Sequence, residues 1–395
     1  MKKAFRMQTQ LAAAEARGLA AATALGIIGA LTIFIAPGFL GLVADQGKLG
    51  EAGAGYVISS DINTMAVAIG AATFLITRVS WRQLAIAGLV LIAAGSLATA
   101  FVHAEAAFIG ARVCAGLGEG LAVGVSFAAL GQARNPDRAF GVYLAAGLTI
   151  SAVILLLLPI LQPRVGTAPF FIGIAVLAVL TGVLAPWMST GNVAAGAAPS
   201  GPTGIHWPLA SAGLLGVLLY FLAQGAVWSY FGEIGAASGV RADFIGRALA
   251  ISSMAGIGGA LLAVLISTRF GRASPLIGSA AVSVASFLLL KGHVSGFAFF
   301  TSGVLFNAAW NFSMPFLSGL CADADGRGRV VCAMGCIQTV GTGLGPAAAA
   351  LLLGPHGFSS ILWMSVAVLV VSVLIVLVGI RAHRRETAAR VPGAA

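Results

Sequence analysis

Three ionisable residues stand inside apolar runs: Asp61, Arg112 and Glu119. A charge at the centre of a membrane span costs roughly 2.5–3.5 kcal/mol on insertion scales, so such residues mark function by default. A carboxylate can take up and release a proton, and a guanidinium can hold an anion or bias a neighbouring carboxylate. Arg112 and Glu119 lie seven residues apart on one predicted helix. They share a face, but their backbones stand about 10 Å apart at ~1.5 Å per residue, which reads as too far for a direct bond. Each then needs a partner from another helix or from water. Asp61 lies at a similar depth in a different span, so it can approach Arg112 across the bundle. The structural alternative is an ion pair that only ties helices together.

Neutral polar residues recur at helical spacing. Asn307 and Asn311 are four apart with Trp310 between them, Gln224 and Trp228 are four apart, and so are Gln338 and Thr342. Amides in mid-membrane need partners, supplied by a solute or by a second helix. Trp310 either stacks on an aromatic solute or packs in the core. Gln224 and Trp228 are positioned to form an outer gate, while Tyr230 reads as part of an interfacial aromatic belt. Metal chemistry has little support. Cys332 and Cys336 share a helix face, but no His or further Cys stands close by, and all four cysteines read as small core residues. The five histidines, at 103, 206, 293, 356 and 383, are scattered through predicted loops and tails without a His-Glu-x-x-His motif. No metal, no cofactor and no enzyme activity is expected.

These residues must be positioned by membrane helices. The chain has 395 residues, 59% hydrophobic and only 9% charged, with a mean hydropathy of +1.00. Soluble domains carry about 25% charged residues. A span needs about 20 apolar residues, and counting such runs predicts twelve helices. They cover 19–43, 54–77, 83–102, 105–131, 139–161 and 168–188, then 208–231, 243–267, 274–291, 296–321, 329–353 and 358–380. The first run is too long for a signal-peptide core and reads as an uncleaved span. Residues 189–206, rich in Gly, Ala and Pro and without formal charge, read as a cytoplasmic linker between residues 1–188 and 207–395.

The net charge of +10 forms no patch, which argues against nucleic acid. With a cytoplasmic N-terminus, sixteen basic residues fall on the cytoplasmic side and five on the outer side, with Arg112 alone inside a span. That bias places both termini in the cytoplasm of a bacterial inner membrane. The halves also resemble each other. Arg78-Val-Ser-Trp-Arg82 leads to Gly88, and Arg269-Phe-Gly-Arg272 leads to Gly278. Duplicated six-helix halves enclosing a site are a common transporter plan.

This pattern resembles the major facilitator superfamily. Thr268-Arg269-Phe270-Gly271-Arg272 looks like that family's Gly-x-x-x-Asp-Arg-x-Gly-Arg loop, with the Arg-x-Gly-Arg end intact and the glycine and aspartate replaced. The loop after the second span is more degenerate, with Ser80 where Gly is usual. Arg112-Val-Cys-Ala-Gly116-Leu-Gly118 looks like the family's Arg-x-x-x-Gly-x-Gly motif. The Gly-x-x-x-Gly-Pro element that family antiporters carry in the fifth span is missing there, while Gly341 to Pro346 in the eleventh resembles it.

The resemblance implies an all-α membrane protein of twelve helices in two pseudo-symmetric six-helix bundles. It implies secondary transport of a small organic solute by alternating access, proton-coupled and by a monomer. No ATP-binding Gly-x-x-x-x-Gly-Lys-Ser/Thr loop occurs. Arg112, Asn307, Trp310, Asn311, Gln224, Trp228 and Gln338 are then the expected solute ligands, with an organic or aromatic acid favoured by Arg112. Asp61 and Glu119 are the expected proton carriers, though another ion could replace the proton. Arg78, Arg82, Arg269, Gly271 and Arg272 form the loops that latch one conformation. The alternatives are a proton-driven exporter of drugs or metabolites, and, outside transport, a membrane receptor or intramembrane enzyme.

Overall fold

The computed structural model describes residues 2–102, 104–133, 136–188, 204–266, 269–325, 329–354 and 357–389. The expected linker therefore lies outside the described residues over 189–203. The first bundle contains α1 (Lys2–Phe34), α2 (Ala36–Gly47), α3 (Glu51–Leu75), α4 (Trp81–Phe101), α5 (Glu105–Gly131), α6 (Pro136–Val165) and α7 (Ala168–Gly182). The second contains α8 (Trp207–Ala237), α9 (Ala242–Ile266), α10 (Ala273–Leu289), α11 (Gly296–Ala324), α12 (Arg329–Leu352) and α13 (Ser359–Ala389). Among the described residues, nine helices are long and apolar enough to cross a membrane. Of the others, α7 and α10 are shorter apolar helices, and α11 carries Asn307, Asn311 and Asp323 in its 29 residues. "Inner face" below means the face bearing the start of α1.

Local chemistry sets the ends. Ser80 caps α4 by accepting from the Gln83 amide at 3.3 Å, and Ser295 caps α11 by accepting from Ala298 at 3.2 Å. Gly166 (φ 79°) and Gly239 (φ 80°) adopt the left-handed conformation that stops α6 and α8. Helix ends differ from the expected ones by a few residues. The main departure is at the first span, which is two helices rather than one. Ile35 breaks it at φ −103°, ψ 15°, and Pro37 sits in the first turn of α2. Proline cannot donate to the turn before it, so the helix restarts there.

Within the first bundle α5 packs on α1, α3 and α4; within the second, α8 packs on α12 and α13, and α11 on α9 and α10. The bundles meet through α3 with α12, α6 with α9 and α2 with α8. Close approaches lie in the outer half. A Cβ at Gly55 would stand 3.0 Å from the Pro346 carbonyl, one at Gly232 2.9 Å from the Pro37 carbonyl, and one at Gly246 2.8 Å from the Leu155 carbonyl. Toward the inner face the same α3–α12 pair relaxes: a Cβ at Gly70 would only reach ordinary contact with Cys336, at 3.9 Å. Small residues are what allow this backbone approach.

Candidate functional site

Asp61 on α3, Arg112 and Glu119 on α5, and Thr32 on α1 form one buried cluster. The three ionisable side chains are 0–1% exposed. Arg112 donates to Asp61 Oδ2 through Nη2 and through Nε at 3.2 Å. Its Nη2 also donates to Glu119 Oε1 at 3.2 Å. Thr32 Oγ1 donates to the other Glu119 oxygen at 2.8 Å. The guanidinium carbon lies 4.9 Å from the centre of the Phe39 ring on α2, a cation–π contact. Asp61 Oδ1 and Arg112 Nη1 are left without a hydrogen-bond partner. The α3–α5 approach needs Gly116, since a Cβ there would press on the Asp61 carbonyl and stand 2.9 Å from its Oδ1.

The direct Arg112–Glu119 bond corrects the expectation drawn from backbone spacing. Helical side chains lean toward the N-terminus. Glu119 therefore reaches back along α5 while the long Arg112 side chain spans the rest.

The break in the first span creates a second polar feature. Pro37 has no N–H to offer the Ile33 carbonyl, and Gly38 donates to Ile35 at 2.9 Å instead of to Phe34. Two carbonyls are thus released from the helix. Ser151 on α6 donates to Phe34 at 2.8 Å, and Trp228 on α8 donates to Ile33 at 3.1 Å. The second bond joins the two bundles. The Trp228 ring is held in place by stacking on Phe306, 5.5 Å between centres at 11°.

The second bundle carries a neutral network. Gln224 Nε2 donates to Tyr220 at 2.9 Å and to Ser283 at 3.2 Å, and Ser313 donates to Tyr220 at 2.6 Å. Gln224 and Trp228, expected to act as one gate, thus point to different partners: Gln224 into its own bundle, Trp228 across the interface. Tyr230 is not an interfacial belt residue. It is fully buried and donates to the Glu51 carbonyl at 3.0 Å, joining α8 to α3.

The amides of α11 turn inward on their own helix. Asn307 donates to the Gly303 carbonyl at 3.2 Å and Asn311 to the Asn307 carbonyl at 3.0 Å, a local bond that polar side chains form readily. Trp310 packs edge-on against Phe221 and Phe306, in the core rather than toward lipid. Gln338 is half-buried on α12, where Thr342 donates to its carbonyl at 3.0 Å.

Of the loop residues, Arg78, Arg82 and Arg269 are exposed. Arg272, at the start of α10, makes a two-point contact with Asp323 at the end of α11, 2.8 Å on one arm. Gly271 supplies the left-handed turn before it, at φ 68°. Thr268 lies outside the described residues.

Sequence reasoning missed Thr32, Phe39, Tyr220, Ser283, Ser313 and the Ile33 carbonyl. Only Pro37, a helix breaker inside an apolar run, was a legible signal for the last.

Fold and site together define a class: a polytopic protein of two helical bundles with a buried cluster of ionisable side chains in the first. No protein-family model and no curated protein matches the sequence. Solved structures do match. A D-xylose-proton symporter aligns at TM-score 0.71 and 15% identity, over 91% of this chain and 96% of its own. The xylose transporter XylE from E. coli, in a partially occluded inward-open conformation, aligns at 0.71 and 14%, over 92% and 97%. At that identity the likeness shows the fold alone, two bundles of membrane-length helices.

Proposed function

We propose that the protein is a proton-coupled secondary transporter that moves a small polar solute across the inner membrane by alternating access. One observation carries the reading: two buried carboxylates face a single guanidinium. A net negative charge shut away from water is expensive, and one added proton closes the balance. Glu119 is the better carrier, because Asp61 takes two of the guanidinium's bonds and Glu119 one. Losing the Glu119 proton would draw Arg112 away from Asp61, so protonation and helix position are linked.

Arg112 spends most of its donors inside the protein, which disfavours it as the ligand of an acidic solute. A neutral, hydroxyl-bearing solute of the kind named for the structural neighbours fits better. Gln224, with Oε1 unpartnered, and the half-buried Trp310 and Asn311 are its proposed contacts. Thermal-shift screening of the purified protein against sugars and organic acids identifies the class, because a ligand stabilises the state it binds by RT ln(1 + [L]/Kd). Proteoliposomes with a trapped pH dye then read proton entry with the best hit, D-xylose being tested first. Glu119→Gln should abolish solute-driven proton entry while leaving solute counterflow. Proton entry persisting in both Glu119→Gln and Asp61→Asn would end the reading.

A further inference from the structure

The short helix α2 stands between the ionic cluster and the second bundle. Its Pro37 carbonyl meets α8 so closely that a Cβ at Gly232 would stand 2.9 Å from it. One turn on, a Cβ at Gly41 would stand 3.2 Å from the Glu233 carboxylate, also on α8. Phe39 lies two residues from each. At about 3.6 residues per turn, that places it on the opposite side of α2.

There the Arg112 guanidinium lies over the buried Phe39 ring, its carbon 4.9 Å from the ring centre. Phe171 on α7 braces the same ring, 5.8 Å between centres at 65°. Arg112 gives Nε and Nη2 to carboxylates, while Nη1 has no hydrogen-bond partner. The face of an aromatic ring carries the negative end of its quadrupole. Phe39 therefore supplies attraction on a cation whose remaining arm no oxygen takes. Asp61 is held by two bonds and Glu119 by one, so the ring competes chiefly with the single bond to Glu119.

We infer that Phe39 is a positioning residue for proton exchange at Glu119. Its ring face holds Arg112 back from that carboxylate and so favours the protonated form. When Glu119 loses its proton, Arg112 moves toward it and off the ring. The change is then felt in α2, whose other side bears on α8. The inference rests on Glu119 as the proton carrier.

The test replaces Phe39 in the full chain with mono-, di- and trifluorinated phenylalanine by nonsense suppression. Ring fluorines withdraw charge from the face and leave the shape nearly unchanged, so packing is held while the cation–π attraction falls. The readout is the infrared carbonyl band of a protonated carboxyl, titrated against pH in proteoliposomes and assigned to Glu119 by its loss in Glu119→Gln. The midpoint should step to lower pH with each fluorine. The total shift should be at least a few tenths of a unit and at most about 1.5 units, the full worth of a desolvated contact. Proton entry driven by solute should follow the same order. A Glu119 midpoint that stays fixed across the series, or moves to higher pH, would overturn the role of Phe39 and leave the proton carrier in place. If no band lost in Glu119→Gln titrates in the unmodified protein, the carrier assignment fails and this inference fails with it.

Discussion

Trp228→Phe should loosen the outer closure by a predictable amount. The variant keeps an aromatic ring over Phe306, trims the indole to a single ring and deletes the donor that reaches the Ile33 carbonyl at 3.1 Å. A hydrogen bond of this kind contributes about 0.5–1.5 kcal/mol net. At ~1.4 kcal/mol per factor of ten, the ratio of outer-closed to outer-open molecules should fall about twofold to tenfold. Spin labels on Gly50, which has open space around it, and on exposed Ala237 at the outer end of α8 report the two populations as separate distances. The native cysteines are replaced first.

The cause can be isolated through Pro37. Pro37→Ala supplies the missing backbone N–H, so the Ile33 carbonyl regains a donor inside its own helix. In that background Trp228→Phe should have little further effect, giving a coupling of about 0.5–1.5 kcal/mol in the double-mutant cycle. An equal shift in both backgrounds would show that Trp228 acts through packing alone and refute the reasoning.

Two further substitutions test the ionic cluster. Arg112→Met leaves two buried carboxylates facing each other and should destabilise the protein by about 3–5 kcal/mol, read as a drop in the unfolding midpoint in detergent; adding Asp61→Asn and Glu119→Gln should recover most of the loss, and no recovery would show that packing rather than charge sets the cost. Gly116→Ala should lower stability by about 1–3 kcal/mol through overpacking against Asp61 and weaken proton entry, whereas Gly110→Ala, with open space around it, should do neither.

The helical spans were legible because apolar runs of membrane length are rare in any other setting. The Asp61–Arg112 contact was legible as two charges at matching depth in an apolar medium, where each must find a partner. What failed to show depended on a neighbour. Tyr230 has the composition and position of a belt residue, and only the facing bundle makes it a core residue. The bond from Arg112 to Glu119 was hidden because backbone arithmetic leaves out side-chain length. The break at Ile35 was hidden because an apolar run shows how long a segment is, not whether it is one helix. Tyr220, Ser283 and Ser313 come from three separate helices, and no spacing along the chain links them.

On the proposed reading, the placement of the charges would let one proton move two bundles. The ionic cluster lies wholly in the first bundle, while the second holds a neutral network in the corresponding region, so a change in protonation acts first on α1, α3 and α5. Of these, α3 is also the helix that touches α12: two residues beyond Asp61, Asn63 packs so closely on α12 that a Cβ at Gly343 would stand 2.9 Å from its amide. A shift of Asp61 relative to Arg112 is therefore felt at the inter-bundle contact almost directly. The first span adds a second link, since Thr32, which bonds Glu119, immediately precedes Ile33, which accepts from Trp228. On the same reading, rigid α-helices would carry the displacement, and the break at Ile35 would let the half-span beyond it stay with the second bundle while Thr32 follows Glu119.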